Sequence, residues 1–145
     1  MRFLDVILEI VAAAGETKRL MQRSQPFRLR IENEPFMPLV IEAWDSPIAD
    51  ENRRISVAHY FACEGDLVPD PEVEMRDDGW PIELSQRDFY TQVSWYEPNG
   101  SLMFYPQAKR EVLGFLNGTW APNLRAQGFI TAAQKLARYK AEVRP

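Results

Sequence analysis

The residues of this chain that could do chemistry gather in one stretch, His59–Met75, HYFACEGDLVPDPEVEM. It holds the only histidine and, from position 64 to 74, five carboxylates: Glu64, Asp66, Asp70, Glu72 and Glu74. Hard cations such as magnesium or calcium need several oxygens converging on one point, and Asp66, Asp70 and Glu72 are the residues to supply them. The D-x-D-x-D-G spacing of a calcium loop is absent. His59, of a residue type whose free pKa lies near about 6.5, becomes a general base or a ligand if Asp66 or Glu72 orients its ring. Together these residues would make a metal-assisted hydrolase.

The same residues have a plainer use. Asp66 and Asp70 stand in Gly–Asp and Asp–Pro turn signals, where a carboxylate bonds backbone amides while the glutamates face water. His59 shares a strand face with Val57 and Phe61, where a lone histidine is a hydrogen-bonded core residue. Cys63 lies beside Glu64, and neighbouring acids suppress the thiolate a nucleophile needs. No nucleophile elbow, phosphate loop or zinc signature appears. Lacking a complete catalytic set, the chain reads first as a binding protein, with Glu64, Asp66, Asp70 and Glu72 as its charged surface.

A second stretch is Trp120–Phe129, WAPNLRAQGF. Asn123 and Gln127 are four apart, so on a helix they share a face with Trp120 nearby and could bond a partner or substrate. In the simpler account Trp120, Leu124 and Phe129 dock the last helix. The aromatics Trp80, Phe89, Tyr90, Trp95, Tyr96, Phe104 and Tyr105 would suit nucleic-acid stacking only in a basic surround. Lys109, Arg110 and Arg125 are the cations near them in sequence. Trp95 and Phe104 are expected in the core.

Both stretches resemble a family of uncharacterised bacterial proteins with a His-Tyr strand, a Gly-Asp-Leu turn, an Asp-Pro-Glu strand start and a W-x-x-N-L-x-x-Q-G-F element. Here these are His59-Tyr60, Gly65-Asp66-Leu67, Asp70-Pro71-Glu72 and Trp120–Phe129, with Val68 where that family carries methionine. The family is common on conjugative plasmids and integrated mobile elements. The resemblance therefore implies an accessory gene product of a mobile element, and it brings no activity with it.

The elements that must position these residues follow from periodicity. Phe3, Val6, Ile7, Ile10, Val11 and Ala14 recur at three and four, predicting an amphipathic helix that runs on past Gly15 to Leu20 and Met21. From residue 27 the period falls to two, predicting strands at Phe27–Ile31, Leu39–Trp44, Ile55–Ala62, Val73–Met75, Ile82–Leu84, Thr91–Trp95 and Leu102–Phe104. Turn signals separate them at Asn33–Pro35, Ser46–Glu51, Gly65–Pro71, Asp77–Gly79 and Glu97–Ser101. After Pro106 a helix is expected to stop at Asn117-Gly118, and a last one to follow Phe129 with Thr131 and Gln134 as a capping box. This order predicts an α+β fold: an N-terminal helix, an antiparallel sheet of five to seven short strands, and two C-terminal helices packed on one face.

Length bounds the rest. At 145 residues the chain fits one domain, 1–145. One cysteine excludes an internal disulfide. Asp5 and Glu9 interrupt the apolar opening stretch as no secretory core or membrane span would allow, so a cytoplasmic protein is expected. The net charge of −4 is unevenly spread: residues 32–89 carry fifteen acids against four bases, and both flanks are mildly basic. An acidic surface of this kind meets a basic macromolecular partner, a protein before a nucleic acid. Binding of nucleic acid through the basic helices is the third reading. No membrane is expected, no cofactor beyond a divalent cation, and oligomeric state is open.

Overall fold

The stripe Phe3, Leu4, Val6, Ile7, Ile10 and Val11 turns one side of the first helix, α1 (Phe3–Ala13), into the core. The computed structural model describes residues 2–48 and 52–143. The helix does not run on to Met21. Gly15 takes φ +75°, a left-handed conformation that closes α1, and a separate short helix α2 spans Thr17–Met21.

The chain then alternates. In β1 (Phe27–Asn33) Phe27, Leu29 and Ile31 are buried while Arg28, Arg30 and Glu32 are exposed, so one strand face meets the helices and the other meets water. The strands β2 (Phe36–Trp44), β3 (Arg54–Cys63), β4 (Asp66–Arg76), β5 (Pro81–Gln86) and β6 (Phe89–Gln92) follow. Each pairs antiparallel with the one before it, giving a six-stranded meander in the order β1 to β6. The expected strand Thr91–Trp95 is broken at Val93. That residue is fully buried; its N–H donates to the Ile82 carbonyl and its carbonyl accepts from Tyr105. Beyond it, β7 (Ser94–Tyr96) and β8 (Leu102–Phe104) form a separate two-stranded sheet through the expected Glu97–Ser101 turn. Trp95 is half-buried and Phe104 is 39% exposed, so neither is in the core as expected. Phe104 packs edge-on against Trp80 instead.

After Pro106 comes α3 (Pro106–Phe115), with the proline in the first turn where its missing N–H costs nothing. Asn117-Gly118 does not stop the helix. The backbone widens into a π-helical turn, Leu116–Trp120, and continues as α4 (Ala121–Ala126) with Pro122 in its first turn. Asn117 has a use of its own: its side-chain oxygen accepts the Phe3 N–H at 2.7 Å, satisfying an orphan donor at the start of α1. Gly128, at φ +81°, breaks the chain before α5 (Phe129–Val143). Thr131 lies inside that helix rather than at its cap. Leu116, Trp120, Leu124, Phe129 and Ala133 join α1 and the inner sheet face in one apolar cluster.

One buried charge organises the far end of this core. Arg53, just before β3, is 2% exposed. It donates from Nε to the Leu20 carbonyl (3.0 Å), from Nη2 to the Gln25 carbonyl (2.8 Å), and from Nη1 to Asp45 (2.7 Å). Half of the expected Ser46–Glu51 turn, residues 49–51, lies outside the described residues.

Candidate functional site

The acidic stretch is a β-hairpin rather than a long loop. The expected turn Gly65–Pro71 shrinks to two residues, Glu64 and Gly65, both at positive φ (50° and 87°), between the paired Cys63 and Asp66. That is the conformation which matches the twist of two-residue hairpins, and glycine at the second position makes it accessible. β4 therefore starts at Asp66, with a bulge where Asp70 and Pro71 stand opposite His59.

This geometry separates the carboxylates. Glu64 and Asp66 sit exposed at the hairpin tip beside the exposed Cys63. Asp70 serves the β5–β6 turn: Oδ1 accepts the Arg87 N–H at 2.9 Å, and the Arg87 guanidinium lies 3.7 Å from Oδ2. Glu72 belongs to the opposite face of the sheet. There the register aligns Arg28, Glu42, Ser56, Glu74, Glu83 and Gln92 in one row, and Arg30, Val40, Ala58, Glu72, Ser85 and Tyr90 in the next. Burial, then Glu83 and Glu42, raise the pKa of Glu72 above the usual carboxylate value. Burial also raises Glu74, opposed by Arg54 and reinforced by Glu83 and Glu72. Tyr90 donates to Glu83 at 2.6 Å, which pushes the phenol up to about 12. Among the described residues no three His, Cys, Asp or Glu side chains are grouped to hold a metal ion.

What the structure does bring together is His59, Trp120, Asn123 and Gln127. They line a cleft of about 190 Å³, closed by Phe36, Met37, Pro71, Phe115 and Thr119, none of which sequence reading singled out for a site. The exposed apolar pair Phe36-Met37 at the start of β2, each 39% exposed, was a usable signal. His59 projects from the inner face of β3, its ring tilted against Trp120 (5.7 Å between centroids) and Phe129 (5.5 Å). Neither Asp66 nor Glu72 orients it. Nδ1 instead lies 3.2 Å from the Met37 carbonyl and 3.3 Å from that of Pro38. Two acceptors facing Nδ1 place the proton there and leave Nε2 as an acceptor. Burial lowers the His59 pKa against the smaller opposing pull of the carbonyls, so the ring stays neutral.

The helical side of the cleft is set by the π-turn. Trp120 ends it, 3% exposed, and its indole Nε1 is buried with no acceptor among the described residues. Asn123 and Gln127 follow on α4 and its C-terminal cap. The Gln127 carbonyl accepts from the Asn33 side chain at 2.7 Å, tying α4 to the β1–β2 turn. Short π-turns recur where a helix is shaped for a functional site.

Two of the cations weighed for nucleic-acid stacking are engaged otherwise, while the aromatic Phe89 stands 77% exposed. Lys109 lies 3.7 Å over the Trp80 ring and Arg125 pairs with Glu9 at 2.5 Å. No helix among the described residues is long and apolar enough to cross a membrane. No curated protein and no solved structure matches the chain. A family model does, over residues 5–130, which takes in the hairpin, the cleft and the helices behind both. The chain belongs to that family, described as a domain of unknown function (DUF6908).

Proposed function

We propose that this protein is a non-enzymatic accessory product of a mobile element, acting in the cytoplasm by binding a basic surface of another protein. The observation that carries this reading is the dispersal of the carboxylates: Glu64 and Asp66 at the hairpin tip, Asp70 on the β5–β6 turn, Glu72 on the open sheet face. A hydrolytic metal centre needs such groups converging in a cleft, whereas a binding surface uses them spread out. His59, pinned by backbone carbonyls and without a carboxylate partner, lacks the orientation of a general base. The excess of acids across residues 32–89 selects a basic partner and speeds encounter with it. The mobile-element assignment is supported by the His-Tyr, Gly-Asp-Leu, Asp-Pro-Glu and Trp120–Phe129 elements.

Thermal unfolding with EDTA, then with millimolar magnesium, calcium, manganese and zinc, separates this from the hydrolase. Wild type and Asp66→Asn/Asp70→Asn should show no metal-dependent rise in melting temperature. A rise lost in the variant would make the hairpin a metal site and sink the binding reading.

A further inference from the structure

The cleft beside the hairpin combines two properties that select a ligand. First, no carboxylate, ammonium or guanidinium lines it. A charged group entering would give up hydration and find no counter-charge. Second, its hydrogen-bonding groups are idle. Trp120 Nε1 is a buried donor with no acceptor, and His59 Nε2 has no partner among the described residues. The side chains of Asn123, Gln127 and Thr119 likewise make no hydrogen bond within the described residues, and each both donates and accepts. A purely apolar occupant would leave the buried Trp120 and His59 groups unsatisfied and would cost the exposed Asn123 and Thr119 side chains contact with water. The space, about 190 Å³, is below the roughly 300–1,000 Å³ of whole small-molecule sites and suits a single side chain.

We propose that this cleft is a recognition site for an uncharged primary amide group, carried on an Asn or Gln side chain of a partner or on a free small molecule. An amide is flat enough to lie against Trp120 and Phe115. It carries a carbonyl to accept an N–H and an N–H to reach His59 Nε2. The carboxamides of Asn123 and Gln127 pair with it as amides pair with one another. The base of a nucleotide offers similar edges, but its phosphate would find no ammonium or guanidinium among the lining residues. The site stands whether or not the hairpin binds a basic partner, since it uses none of the carboxylates.

The test is titration of the ¹⁵N-labelled full chain, read at the Trp120 indole N–H and the His59 ring, the indole resonance assigned by Trp120→Phe. The probes are acetamide, N-acetylglutamine methylamide, N-acetylglutamate methylamide and adenosine monophosphate. Acetamide and the glutamine compound should give saturable shifts, and the glutamate compound none. Asn123→Ala/Gln127→Ala removes only side chains without partners and should weaken binding by about tenfold or more. Tighter binding of the glutamine compound than of acetamide assigns the site to a partner's side chain, and equal binding to a small molecule. Absence of saturable shifts with either amide, or equal response to the glutamate compound, overturns the proposal. Stronger binding of adenosine monophosphate than of either amide overturns it in favour of a nucleotide.

Discussion

The neutral imidazole of His59 can be tested by removing its proton site while keeping its shape. In His59→Phe the ring still fills the space between Trp120 and Phe129, so no cavity opens. The variant loses the Nδ1–H bond shared between the Met37 and Pro38 carbonyls, worth about 0.5–1.5 kcal/mol net. Those carbonyls lie near an exposed residue and a half-buried one, so water reaches part of the deficit and the total should be about 1–2 kcal/mol near pH 7.5. The pH dependence is the sharper signature. The folded pKa is depressed below 6.5, so between the two values the unfolded chain binds the extra proton and wild type loses stability as pH falls. Each pH unit there costs wild type at most about 1.4 kcal/mol, and the phenylalanine variant nothing. Glu72 and Glu74 titrate in both proteins and cancel in the difference. Urea unfolding at about pH 7.5 and about pH 5.5, with m unchanged, should show the deficit closing toward zero at the lower pH. A deficit equal at both would mean that His59 titrates alike in the folded and unfolded chain, as a water-exposed ring does, and the acceptor role of Nε2 would go with it.

Three further outcomes follow from the packing. Arg53→Met should cost about 3–5 kcal/mol in urea unfolding, because it strips partners from the Leu20 and Gln25 carbonyls and from Asp45 together; a loss below about 1 kcal/mol would show those bonds to be dispensable. Glu72→Gln should stabilise the fold at neutral pH and lose that advantage as pH falls, since a raised folded pKa means stability in wild type is lost as pH rises through it; hydrogen exchange or melting across the acid range reads the effect. Gly79→Ala should destabilise by about 1–2 kcal/mol in the same unfolding assay, as φ is +92° and the new methyl would meet Leu4 Cδ2 at 3.4 Å.

Wherever local period decides structure, the fold was legible in the sequence. The three-four stripe of α1, the alternation of β1 and the Glu97–Ser101 turn are all where they were expected. Boundaries set by single backbone conformations were not. Gly15 and Gly128 end helices by taking positive φ, and Glu64 joins Gly65 in doing so, which moves the start of β4 from Val73 back to Asp66. Arg53 was invisible because the groups that bury it lie 33, 28 and 8 residues away, in segments with no pattern of their own. The cleft was half legible. His59, Trp120, Asn123 and Gln127 each drew notice for chemistry, but their meeting depends on β3 and α4 packing across the core, which no spacing encodes. The acidic hairpin drew more notice than it repaid: the tight turn leaves Glu64 and Asp66 out at its tip, and the bulge at Asp70-Pro71 breaks the alternation that would have kept Asp70 on one face with Glu72.

The π-turn at Leu116–Trp120 has an angular consequence. An α-helix advances about 100° per residue, so the one additional residue a π-turn accommodates rotates everything after it by about that much around the axis. Had α3 run straight into α4, Asn123 and Gln127 would emerge on another azimuth, with the cleft facing a blank helical flank. Recognition here is a matter of phase: the widened turn, taking up one residue more than an α-turn, holds the helix at the bearing at which its amides look onto the histidine.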